Sequence, residues 1–118
     1  MYKRQEIGIE ALDATEQRIF SALAAGEAVG PESSMLKCAG SEMQQAITEL
    51  AIEAAGTYGA PFVRNTLELA RDGANADTPT PIETVTTVPS YFSYRKTSIY
   101  AGSNEIQRNI MSKMVLGL

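Results

Sequence analysis

The sequence predicts an all-α fold, an up-down helical bundle that is incomplete. Three observations carry this. Residues Glu6 to Ala25 are helix-forming and place Ile9, Leu12, Ile19 and Leu23 on one stripe, three and four apart once position 16 is counted. Residues Pro31 to Ala55 repeat the pattern with Leu36, Ala39, Met43, Ala46 or Ile47, and Leu50. The chain then ends on a capped helix, from Ser103 or Asn104 to the Gly117 stop.

In the first helix Glu16 occupies a stripe position, where a carboxylate that snorkels or faces a partner is expected rather than a catalytic one. Gly26 and Gly30-Pro31 end this helix and start the next, with Pro31 suited to a first helical position and Glu32 to the first turn. So short a turn makes the two helices antiparallel neighbours. Gly40, mid-helix, costs about 1 kcal/mol against Ala, and a close helix crossing is expected there. Gly56 and Gly59 close the second helix with a C-cap and a tight turn.

A short helix is expected from Phe62 to Ala70, with poor periodicity, and then an irregular insertion at about residues 72–89, rich in Asp, Asn, Thr and Pro. Ser90 to Ser98 is a third helical segment, whose Tyr91, Phe92 and Tyr94 suit core or interface packing and whose Arg95 and Lys96 suit the dipole at its end. The last helix opens after Ala101-Gly102-Ser103. Gly102 supplies a residue free to take positive φ, Glu105 suits the first turn, and Ile106, Ile110 and Met114 follow four apart. Such a helix start, opened by small residues, can receive a phosphate, a carboxylate or a polar ring edge.

A chain of 118 residues holds one domain with a modest core. Its net charge of −4 offers no basic field for nucleic acid or an anionic membrane, and no apolar run spans a bilayer. The single cysteine, Cys38, excludes an internal disulfide, suits a cytoplasmic location and reads as buried filler. With no histidine, Ser-His and Cys-His catalysis and the common zinc constellations are excluded.

The string Tyr100-x-Gly102-Ser103-x-Glu105-Ile106-Gln107-Arg108 resembles the closing segment of the acyl-CoA dehydrogenases, and Arg95-x-Thr97-x-Ile99-Tyr100 continues the match. The resemblance runs back through Ser34-Met35-Leu36-Lys37 and Gln44-Gln45-Ala46 to Gly56, sparing Asn65 to Pro89. Met1 to Gln5 has no counterpart in it and is expected to be an artefactual leader, with the C-terminal bundle domain occupying residues 6–118.

The resemblance implies an oxidoreductase that removes hydrogen across the α,β carbons of an acyl-CoA, with FAD as cofactor, an electron-transfer flavoprotein or similar acceptor, and a homo- or hetero-oligomer, a tetramer in the parent. By the same resemblance Gly56 and Thr57 meet the ADP part of FAD from a neighbouring subunit. Ser103, Asn104 and Glu105 touch FAD at the start of the last helix, and the backbone of Gly102 lies along the substrate. Glu53 stands where the family has Gln, and its charge is unfavourable beside pyrophosphate, so Gly56 is the firmer contact. Ala101 occupies the place of the usual Glu base, so no catalytic residue is assigned: the base then sits on an earlier helix, or the chain is a non-catalytic subunit. Taken alone, such a fragment is expected to be inactive. The rival expectation is a free-standing helical interaction module.

Overall fold

The computed structural model describes residues 2–64, 68 and 78–117. Among these the chain is helical and has no strand. Its α-helices are α1 (Lys3–Ala24), α2 (Glu32–Ala55), α3 (Thr87–Tyr94) and α4 (Asn104–Leu116). Among the described residues three 3-10 turns accompany them: η1 (Gly56–Gly59), η2 (Ile82–Thr84) and η3 (Arg95–Ser98). The chain divides into two compact units, one of residues 1–44 and 96–118, the other of residues 45–95, with α2 contributing to both.

In the first unit α1 and α2 are joined through Gly26, which takes φ 85° and lets the Glu27 N–H reach the Ala22 carbonyl at 3.0 Å. The Pro31 carbonyl already accepts from the Met35 N–H at 3.2 Å, so Pro31 flanks α2 and the helix proper starts one residue later. The half-buried face of α1 is Gln5, Gly8, Leu12, Thr15, Ile19 and Ala22, while Ile9, Glu16 and Leu23 of the expected stripe are exposed. Gly8 explains the offset, because a Cβ there would collide with the end of Met43 on α2. Gly40 corrects an expectation: nothing lies within 4 Å of a Cβ built on it, so it marks no close crossing.

The most buried face of α2 is small and polar, not aliphatic. Ser34, Cys38, Ser41 and Thr48 are buried, at intervals of four, three and seven, whereas Leu36, Met43 and Leu50 are only half-buried. Within the first unit, Cys38 and Ser41 on that face let Thr97 and Asn104 come close to α2, the Thr97 hydroxyl donating to the Ser41 carbonyl at 3.4 Å.

In the second unit, η1 closes α2. Gly56 takes φ 57°, and at Gly59 a Cβ would come within 3.0 Å of the Ile52 carbonyl, so both glycines of the expected cap are required by backbone geometry. The expected helix at 62–70 lies mostly outside the described residues, as does the start of the expected insertion. The insertion's end is corrected. Helix α3 begins at Thr87, inside the expected loop, with Pro89 in its first turn, where a missing N–H costs nothing. Val85, only 2% exposed, and Val88 are the buried aliphatic side chains among the described residues. Arg95 ties α3 to α2 within this unit: it donates to Glu49 at 2.8 Å, to the Gln45 carbonyl at 3.0 Å and to Thr48 Oγ1 at 2.9 Å, and its guanidinium lies over the Tyr91 ring at 4.3 Å.

Candidate functional site

The start of α4 is built by a turn of two consecutive left-handed residues. Ala101 takes φ 56° and Gly102 φ 85°, and among the described residues Ala101 is the non-glycine residue with positive φ. An alanine in that region costs roughly 1–2 kcal/mol, so the surrounding structure must hold it there. Ser103 follows in extended conformation (φ −61°, ψ 157°) and is the N-cap, its Oγ accepting from the Ile106 N–H at 3.5 Å. Of the two expected caps, Ser103 is therefore the one used. At the other end Gly117 takes φ 71° and its N–H bonds the Lys113 carbonyl, the expected stop.

Asn104 has a different task. Its side chain is 4% exposed and turned onto α2, where Oδ1 accepts from Lys37 Nζ at 2.8 Å and lies 3.1 Å from Ser41 Oγ. Lys37 Nζ also donates to the Thr97 carbonyl at 3.1 Å. Thr97, itself buried, donates its hydroxyl to the Ser41 carbonyl, and Cys38 Sγ lies 3.6 Å from the Asn104 carbonyl. Lys37, Ser41 and Thr97 carry no motif that marks them as part of this site. Their only signal in the sequence is that Lys37 and Thr97 fall inside the strings quoted for the resemblance.

On the open side of the turn, Ala101, Gly102 and Glu105 are exposed and Ser103 is half-buried. The Glu105 carboxyl is held below the ordinary glutamate range, first by its own backbone N–H, then by the Ser103 hydroxyl, with Arg108 and Lys37 adding attraction. The helix start therefore already meets a carboxylate of its own chain. Its remaining offer is a hydroxyl, a carboxylate acceptor and bare backbone at Gly102, a set that suits a flat, polar ring edge better than a phosphate. Gln107 Nε2 reaches the Ala101 carbonyl at 3.5 Å and closes the turn from behind.

Thus Gly102, Ser103, Asn104 and Glu105 form one contiguous surface, except that the side chain of Asn104 faces inward. Gly56 and Thr57 belong to the second unit, where both are exposed on η1. Ala101 presents a methyl group and has no proton to exchange. Two grooves lie elsewhere in the first unit, one of about 740 Å³ beneath the α1–α2 turn beside Arg18, Ile19 and Val29, the other of about 380 Å³ between Ile9, Leu12, Glu16 and Gly40. Neither includes residues 101–105.

Comparison with protein families decides what this turn belongs to. The family model described as Acyl-CoA dehydrogenase, C-terminal domain, matches residues 3–116. The chain belongs to this family. The acyl-CoA dehydrogenase match opens at residue 3, inside the stretch expected to be a leader, and it takes in the turn at Ala101 and Gly102. No curated protein and no solved structure matches the chain significantly. Among the described residues of this acyl-CoA dehydrogenase domain, no helix is long and apolar enough to cross a membrane, and no three His, Cys, Asp or Glu side chains gather to hold a metal.

Proposed function

We propose that this chain is the C-terminal part of a flavin-dependent acyl-CoA dehydrogenase and that by itself it is inactive. The observation that carries the reading is the family match over residues 3–116, together with the exposed, left-handed Ala101-Gly102 turn at the head of α4. FAD, when bound, supplies the acceptor for the hydride leaving the β-carbon of the acyl thioester.

This chain's residues have supporting tasks. The bare backbone of Gly102 lies along the acyl-CoA, where a side chain would intrude. Ser103 offers its hydroxyl and Glu105 its carboxylate to the polar edge of the flavin, with Asn104 holding the helix start in place, and Gly56 and Thr57 meet the adenosine diphosphate part of a neighbouring subunit's FAD. Proton removal at the α-carbon needs a base, and the methyl group of Ala101 cannot be one. In the complete enzyme that base stands on an earlier helix, electrons pass to an electron-transfer flavoprotein or similar acceptor, and the subunits assemble as an oligomer in the cytoplasm. Ala101 also favours a second reading, a non-catalytic subunit of a mixed oligomer.

Flavin content separates these from a free-standing helical module. The 118-residue chain, purified and dialysed, is expected to show no flavin absorbance and no acyl-CoA-dependent dye reduction, since a site needs an enclosing pocket. The complete protein that carries this chain, purified from its native host, is expected to be yellow and to reduce the dye. Colourless host material would overturn the dehydrogenase reading. Flavin in the isolated chain would overturn its inactivity.

A further inference from the structure

We propose that Lys37 is the positioning residue of the Ala101–Glu105 turn, a clamp that ties both flanks of the loop to α2. The inference rests on the reading of that turn as the substrate- and flavin-facing surface. A single ammonium group donates to the Thr97 carbonyl, four residues before Ala101, at 3.1 Å, and to Asn104 Oδ1, three residues after it, at 2.8 Å. Both acceptors belong to residues that are almost wholly buried, at 3% and 4% exposure. The segment between them contains the strained Ala101, and Ile99, Tyr100, Ala101 and Gly102 are all exposed, so beyond the Lys96 carbonyl and the long Gln107 contact little of its own holds the loop.

The other polar group near Asn104 cannot replace the lysine. Ser41 has one hydroxyl proton, and its oxygen lies 2.9 Å from the Cys38 carbonyl and 3.1 Å from Asn104 Oδ1, so that proton is shared between two acceptors. Lys37 has a proton for each of its two, and hydrogen bonds from a charged donor are the stronger kind. The ammonium also fixes the amide of Asn104, because oxygen must face the cation. With the amide oriented, the first residue of α4 is held in place, and the turn before it can adopt few other conformations.

The chain carries its own reporter. Cys38, the single cysteine, is buried, with Sγ 3.6 Å from the Asn104 carbonyl, so a thiol reagent reaches it only when the α4 start lifts from α2. The assay is the rate of Cys38 labelling by a disulfide reagent in the 118-residue chain, with circular dichroism and hydrogen exchange of the Ala101–Ile106 amides alongside. Lys37→Met should speed labelling about tenfold or more, as expected for the loss of a charged hydrogen bond, with helical content kept. Ser41→Ala should change it less than about threefold, as expected for a shared neutral bond.

Asn104→Asp keeps the acceptor and should label no faster than the natural chain, whereas the same change combined with Lys37→Met should label faster than either single variant, since a carboxylate is then left without its cation. Unchanged labelling and exchange in Lys37→Met, equal acceleration by Ser41→Ala, or strictly additive effects of the two changes would each overturn the clamp. Should Lys37→Met lose its helical signal, Lys37→Gln, too short to span both acceptors, is read in its place: faster labelling supports the clamp and an unchanged rate overturns it. No flavin or acyl-CoA enters the assay, so its failure leaves the dehydrogenase reading standing, and colourless host protein leaves the clamp standing.

Discussion

The two left-handed residues before α4 make opposite predictions for substitutions one position apart. Gly102→Ala puts a Cβ at φ 85° and 2.7 Å from Gln107 Nε2; the glutamine end can swing away but the backbone cannot, so a loss of about 1–2 kcal/mol is expected. Ala101→Gly removes a strained Cβ while adding freedom to the unfolded chain, so it should be neutral or stabilise by up to about 1 kcal/mol. Urea denaturation of the two variants checks the sign, and destabilisation by Ala101→Gly would mean that residue 101 is not left-handed in solution. Glu105 adds a pH dependence. Its folded carboxyl sits below the ordinary range because of its own N–H and the Ser103 hydroxyl. The stabilisation is therefore present above the unfolded value of about 4.3 and disappears as pH falls through the lower folded value. Glu105→Gln should flatten the fall in melting temperature as pH drops below the unfolded value, where the unfolded chain binds the proton first. An unchanged slope would show that the carboxylate does not engage the helix start.

Between helices, Arg95 is the joint whose loss should be felt most within its own unit. It combines a charged pair with Glu49, two bonds to α2 and a ring contact with Tyr91, at a side chain 31% exposed. Arg95→Met should cost on the order of 2 kcal/mol, whereas Glu49→Gln, which removes only the half-exposed pair, should cost under about 1 kcal/mol. Thermal melts that rank the two the other way would place the stability in the ion pair. The same joint shows what was legible in the sequence. Helices α1, α2 and α4, the glycine stops and the Ser103 cap are local features, and period and turn chemistry located them within a few residues. Val85 and Val88 were hidden in a Thr- and Pro-rich stretch that local propensity reads as loop, although long-range packing buries them. Lys37 was hidden for the same reason, since a mid-helix lysine reads as a solvated face and its partners stand sixty and sixty-seven positions away. Turn glycines at the candidate site were visible, but the buried polar support beneath them was not, because Ser34, Ser41 and Thr97 break the expected aliphatic pattern of a core.

Taken whole, the chain leaves much apolar surface in contact with solvent. Helix α1 has no buried residue, and Ile9, Phe20 and Leu23, which share one face of it, are 47%, 61% and 41% exposed. On α4 the expected stripe of Ile106, Ile110 and Met114 is exposed as well, beside Val115 and Leu116. Apolar rows at helical spacing cost nothing to expose singly, but contiguous ones bind partners or aggregate. The net charge of −4 is too small to keep such surfaces apart. The 118-residue chain should therefore associate, its weight-average mass in sedimentation equilibrium rising with concentration. Replacing one residue of each row by a charge tests whether the rows are the cause: Phe20→Glu and Ile110→Glu should each lower the apparent mass at a given concentration without loss of helical content, because both positions already face solvent. A natural chain that sediments as a monomer at every concentration would show that these rows need no cover. The free-standing module would then gain over the dehydrogenase part, since a domain separated from the helices it packs against should not keep three exposed apolar positions four apart on its last helix without associating.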